Sequence, residues 1–167
     1  VLELAKLFAD VDSDVSVALS PNHIRVESTD LRFTSKLIDG KFPDYERVLP
    51  KNSDKTVLSD KNEMKQCFSR VSILSNEKYR GVRLRLVSGS LTTVANNPEQ
   101  EEAEETINVD YEGNELEVGF NVNYLLDVMN VIRSETVKIQ LADSNSSALV
   151  TDATDDSAMY VVMPMRL

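Results

Sequence analysis

Histidine and cysteine each occur once in the 167 residues, tryptophan not at all, and glycine only five times. Each scarcity removes a class of chemistry. A zinc site draws ligands from cysteine and histidine, and a histidine-dependent nucleophile triad needs its base, so neither is expected within this chain. Five scattered glycines do not build a glycine-rich phosphate loop. Cys67 has no partner for an internal disulfide, in keeping with a reducing cytoplasm. No apolar run approaches the roughly 20 residues of a membrane helix. The stretch from Val1 to Phe8 also lacks the basic leader and small-residue cleavage site of a signal peptide. Positive charge is short as well: 18 bases face 28 acids, a formal net charge of −10. That balance argues against coating nucleic acid by net charge, while a local basic face stays open. A hydrophobic share of 41% is that of a globular chain, long enough for one domain, or one domain and a piece of another. The chain opens on Val1 already inside a helical pattern, so a fragment or a processed chain is expected.

Val1, Leu4, Leu7 and Phe8 share a helical face, which should end before the Asp-rich turn Asp10–Asp14. Strands are expected at Val15–Leu19, Ile24–Glu27 and Leu31–Lys36. Pro43 and Pro50 then bracket an extended connector from Lys41, the expected domain boundary, with the division placed after residue 45. Asp60 is a candidate N-cap for a second helix, with Glu63 completing an acidic variant of the capping box and Met64, Cys67, Phe68 and Val71 as the buried stripe. Val82, Leu84 and Leu86 alternate with Arg83 and Arg85, and Leu91–Ala95 makes a further strand. Ala103, Ile107, Val109 and Tyr111 mark another. After Leu116–Phe120, Asn121 should cap a third helix with the stripe Val122, Leu125, Val128, Met129 and Ile132. Val137–Leu141, Ser147–Thr151 and Ala158–Met163 follow as strands.

The order helix, strand, strand, strand therefore recurs. Val1, Leu4, Leu7 and Phe8 fall on Val122, Leu125, Val128 and Met129 when shifted by 121 (122 minus 1), and Leu4, Leu7, Phe8 and Val11 fall on Met64, Cys67, Phe68 and Val71 when shifted by 60 (64 minus 4). Such units gain by joining sheets with a neighbour. The pattern predicts one and a half domains of a two-unit architecture, an α+β fold with its front half missing.

Catalytic candidates are weak. His23 lies in the turn Ser20–His23 and reads as a solvated turn residue. Cys67 lies on an apolar stripe and reads as a small core residue. Asp10, Asp12 and Asp14 imitate the start of a calcium loop, but Val15 stands where glycine is required and Pro21 where the closing glutamate should be. Interaction signals are stronger. Glu99, Glu101, Glu102, Glu104 and Glu105 crowd one turn and strand, where they repel unless water, salt or a basic partner screens them. Ile73 departs from the second helix's stripe, and Lys61, Lys65 and Arg70 lie on the same helix. The last eight residues, Tyr160–Leu167, form an apolar strand interrupted by Pro164, which cannot donate to a ladder. Met163 and Met165 suit an adaptable groove, although a terminal strand tucked over its own core reads the same way.

At these stretches the chain resembles the beta subunit of bacterial DNA polymerase III, the sliding clamp family. The matching motifs are FTSKLIDGKFPDY from Phe33 to Tyr45, LSNEKYRGVRL from Leu74 to Leu84, ANNPEQEEAEE from Ala95 to Glu105, Gly119–Asn121 and the closing YVVMPMRL from Tyr160 to Leu167. The resemblance covers the whole chain. It implies the second half of a middle clamp domain over 1–45 and a complete last domain over 46–167. It also implies antiparallel sheets outside and helices lining a ring, closed head to tail by two three-domain chains around duplex DNA. Such a ring is non-catalytic, needs no cofactor or metal, and holds DNA by topology and sequence-independent phosphate attraction.

By the same resemblance Lys6, Lys65, Arg70 and Arg133 face the duplex. Ile73 and Leu74 form the apolar centre of the homodimer joint, and Glu99, Glu101, Glu102, Glu104 and Glu105 pair with bases on the partner's first domain. A pocket for the linear motifs of the replicative polymerase, the clamp loader and repair polymerases is lined by Pro43, Arg47, Val48, Asn121, Tyr124, Ser147, Val161, Met163, Pro164, Met165 and Arg166. Two other classes stay open from the residues alone. One is a carboxylate-metal nuclease built on Glu102 and Glu104, and the other an interaction domain that never meets DNA.

Overall fold

A computed structural model describes residues 2–40, 44–51 and 53–166, and the chain divides into two compact units, Val1–Pro43 and Asp44–Leu167. The first contains helix α1 (Leu2–Leu7) and strands β1 (Ser16–Leu19), β2 (His23–Glu27) and β3 (Arg32–Lys36), which form an antiparallel sheet in the order β1-β2-β3. Val17 stands opposite Val26, and Val26 opposite Phe33. Within this unit Val26 is buried, whereas Leu2, Leu7, Val15, Val17 and Leu19 are exposed. Of the expected stripe Val1 lies outside the described residues, and Leu4, Leu7 and Phe8 lie on or just past α1 without being buried, so the helix forms without forming a core.

The second unit holds one-turn helix α2 (Tyr45–Val48), β4 (Lys55–Asp60), α3 (Lys61–Val71), β5 (Gly81–Val87), β6 (Ser90–Asn96), β7 (Glu102–Asn108), β8 (Leu116–Asn121), α4 (Val122–Val131), β9 (Thr136–Leu141), β10 (Ala148–Asp152) and β11 (Met159–Val162). Its two halves repeat as strand, helix and three strands. The leading strand of each half joins the sheet of the other, giving the orders β7-β6-β5-β8 and β11-β10-β9-β4, all antiparallel. Helices α3 and α4 pack on each other; α3 also packs on β6 and β7, and α4 on β8 and β11. One continuous core results, with Met64, Cys67, Phe68 and Val71 from α3 meeting Val122, Leu125 and Met129 from α4.

Both main helices start where a polar side chain caps them. The Asp60 carboxylate accepts the Glu63 N–H at 2.8 Å, and the Asn121 side-chain oxygen accepts the Asn123 N–H at 2.9 Å. The five-residue stripe predicted for α4 is buried throughout.

Two expectations change. The stretch read as extended between Pro43 and Pro50 includes α2, because the Asp44 side chain accepts the Glu46 N–H and starts a turn of helix. The two compact units meet between Pro43 and Asp44, two residues before the expected division, and Asp44 and Tyr45 belong to that capped turn. Strand β4 was not anticipated. Its alternation is short, with Val57 and Ser59 facing inward, and the segment matters mainly as the partner of β9. Among the described residues no helix is long and apolar enough to cross a membrane.

Candidate functional site

Past β11 the chain returns to the sheet at Met165. Met165 donates its N–H to the Gly119 carbonyl at 2.8 Å, so the tail pairs with β8 on the side that β5 leaves free. Two residues beyond Gly119, Asn121 caps α4 and donates through Nδ2 to the Tyr79 carbonyl at 3.2 Å. Tyr79 is held by a compact turn. The Asn76 side chain accepts the N–H groups of Lys78 and Tyr79, and Arg80 adopts φ of 51° while donating to the Asn76 carbonyl. The bond from Arg80 back to Asn76 closes a single helical turn that is not continued, and a left-handed residue ends it. Tail, β8 end, α4 start and Tyr79 turn are thus linked by hydrogen bonds.

Around that linkage the exposed apolar side chains are Tyr79, Tyr124 and Met163, the last 64% exposed. Ser147 immediately precedes β10, whose first residue Ala148 stands opposite Val162, and Met163 immediately follows β11. Val161 is half-buried, on the other side of β11 from the buried Val162. Met165 and Arg166 border a cleft of about 430 Å³ together with Tyr79, Arg83 and Asn96. The structure therefore brings Asn121, Met165 and Arg166 to one place. Arg47 and Val48 lie on α2, where Arg47 pairs with Asp44 at 3.3 Å. Pro43 lies outside the described residues. Tyr79 was not anticipated as a site residue. The signal available was an aromatic side chain between Lys78 and Arg80 in a turn, and nothing local ties it to Asn121, 42 positions on.

A second cleft, of about 550 Å³, is lined by Ile73, Leu74, Glu77, Lys78, Glu99 and Glu101 among others. Ile73 sits in a 3-10 turn (Ser72–Leu74) that follows α3, and is 76% exposed, whereas Leu74 is half-buried. The Glu99 loop is a tight hairpin in which Gln100 takes φ of 66° and Asn97 holds Glu101 through both its amide groups.

The five glutamates do not act together. On β7 the side chains alternate, so Glu102 and Glu104 point outward while Glu105 points to the helix side with Ile107. There Arg70 of α3 donates through Nε to Glu105 at 2.9 Å, and Nη2 donates to the other carboxylate oxygen. The guanidinium holds the Glu105 carboxyl below its ordinary value, against a smaller opposing effect of burial. Arg70 and Glu105, expected to meet DNA and a partner respectively, here satisfy each other. Lys65 is half-buried on α3, Lys6 pairs with Glu3 on α1, and Arg133 lines a cleft with Asp152 and Asp155 after α4. Among the described residues no three histidine, cysteine or acidic side chains gather as a metal set would, so Glu102 and Glu104 remain a pair on an outer face. Cys67 is buried against Thr93, and that burial pushes its thiol up.

Two sheets with exchanged leading strands, two helices packed side by side and a tail paired to a sheet edge make this a domain of the sliding-clamp class of folds. Crystal structures of the sliding clamp from Pseudomonas aeruginosa match it with a TM-score of 0.79 at 58% identity, over 99% of this chain and 45% or 46% of theirs. One further structure of that clamp, bound to griselimycin, matches with a TM-score of 0.77. The family described as "DNA polymerase III beta subunit, C-terminal domain" matches residues 46–166, and its "central domain" matches residues 1–44. The beta sliding clamp of Pseudomonas putida is 60% identical over all 167 residues, and that of Escherichia coli K12 is 53% identical. The chain belongs to the DNA polymerase III beta subunit family, and it spans 46% of the length of these curated relatives.

Proposed function

We propose that this chain is the middle-to-last portion of a replication processivity clamp. In the complete protein two such chains form a ring around duplex DNA and tether the replicative polymerase, the clamp loader and repair polymerases, without catalysing a reaction themselves, in the cytoplasm. The observation that carries this reading is the succession of a central-domain match and a last-domain match along one chain at 60% identity to a sliding clamp. The tail cleft supports the tethering role. An exposed methionine, two exposed tyrosines and a few fixed amides suit a short motif with an apolar end and variable flanks. Exposed Ile73 beside Glu99 and Glu101 supports a joint to a basic partner surface. The basic helix side is modest: on α3 Lys65 is half-buried and Arg70 is engaged by Glu105. In this reading topology supplies the hold on DNA, and local charge assists it.

The test uses the complete parent chain loaded by its clamp loader onto nicked circular DNA. Retention on the circle, release when the circle is cut, and loss of retention on changing Ile73 and Leu74 together to Ala are expected. Retention that survives linearisation would refute encirclement.

A further inference from the structure

The cleft beside the tail continues past the residues that serve a motif-binding pocket. Beyond Met165 and Arg166 it runs over Gly81 and Arg83 of β5 to Asn96 at the end of β6, and its far wall, Asn97–Pro98 with Asn76, is shared with the cleft at Ile73. In a chain of formal net charge −10, this stretch is lined by two arginines and no acid, whereas the acids Glu77, Glu99 and Glu101 line the adjoining cleft. Among the described residues Arg83 pairs with Glu117 alone, at 3.4 Å with both side chains about half exposed, so its guanidinium can change carboxylates at small cost. Asn96 is exposed and its side chain has no hydrogen-bond partner among the described residues, which leaves a carboxamide that can both donate to and accept from an extended backbone. Gly81 leaves its part of the wall without a side chain, and Tyr79 presents an exposed ring beside it.

We propose that this extension receives the acidic flank of a bound partner peptide. The apolar motif occupies the pocket at the tail, and carboxylates next to it pair with Arg83 and Arg166. The inference rests on the motif-pocket reading and adds a preference to it. Partners with acidic residues beside the motif are held longer than partners with neutral or basic ones, and the acids at Glu77 and Glu99 limit how far that preference extends.

Fluorescence anisotropy on the complete parent chain tests it with labelled peptides that share one apolar motif from a replicative polymerase tail. The peptides are bare, or carry three acidic or three lysine residues at one end or the other. At about 50 mM salt an acidic flank at one of the two ends should tighten binding about fivefold over the bare peptide, as two exposed ion pairs allow, and the gain should fade at about 1 M salt. A lysine flank at that end should weaken binding. Arg83→Glu should abolish the acidic gain, read within that variant as the ratio of acidic-flank to bare-peptide affinity, and Arg83→Gln repeats the test with the charge removed rather than reversed. Equal affinity for all flanks, or an Arg83 change that shifts every peptide alike, overturns the proposal. Failure of the bare peptide to bind refutes the motif pocket itself, and with it the flank.

Discussion

Asn121 does two jobs that one substitution can separate. Its side-chain oxygen caps α4 and its Nδ2 holds the Tyr79 carbonyl. Replacing an asparagine cap by alanine costs about 1 kcal/mol, and losing a second, solvent-accessible hydrogen bond adds about 0.5 kcal/mol. For a unit of this size each kcal/mol lowers the melting midpoint by about 4 °C, so Asn121→Ala should melt about 6 °C early by calorimetry. Asn121→Asp keeps the acceptor and adds a negative charge at the helix start, which is favourable there. Its stability should stay within about 0.5 kcal/mol of the parent. Neither variant can donate to Tyr79. If that tether sets the wall of the motif pocket, both should bind a motif peptide about threefold more weakly, the worth of one modest hydrogen bond. Removal of Met165–Leu167 serves as the control for a pocket without its tail. An aspartate variant that melts as early as alanine would refute the capping argument, and peptide affinity that follows melting temperature rather than the missing donor would refute the tether.

The core and the Arg70–Glu105 pair give two more tests. Phe68 is fully buried where α3 meets the sheet, so Phe68→Ala should cost about 3–5 kcal/mol in urea unfolding, and a loss below about 1 kcal/mol would mean that the site collapses around the missing ring. Glu105 has its carboxyl lowered from 4.5 by Arg70, so its contribution is present above the ordinary value and lost as pH falls through the lowered one. The urea-midpoint difference between the parent and Glu105→Gln should therefore be largest near neutrality and shrink through the acid range, and a difference that grows on acidification would refute the pairing.

Much of the secondary structure is legible along the chain because its causes are local. Asp60 and Asn121 announce helix starts by their side chains, the α3 and α4 stripes repeat every three or four residues, and Val82, Leu84 and Leu86 alternate as one face of a strand must. The family is legible for the same reason, since its motifs are runs of adjacent residues. Strand β4 escaped because one short alternation carries little information, and its role becomes visible only when β9 pairs with it.

What tertiary structure alone decided are the contacts between distant positions. Periodicity marks a buried face but does not say which sheet will bury it, so the exchange of β4 and β8 between the two halves could not be read from either strand. The alternation along β7 turns Glu105 away from Glu102 and Glu104, and only the packing of α3 on that strand brings Arg70, 35 positions earlier, to meet it. The tail is apolar in any reading. Its pairing to Gly119 makes it the border of a cleft, because a backbone donor 46 positions away finds a carbonyl that β5 leaves free on that edge.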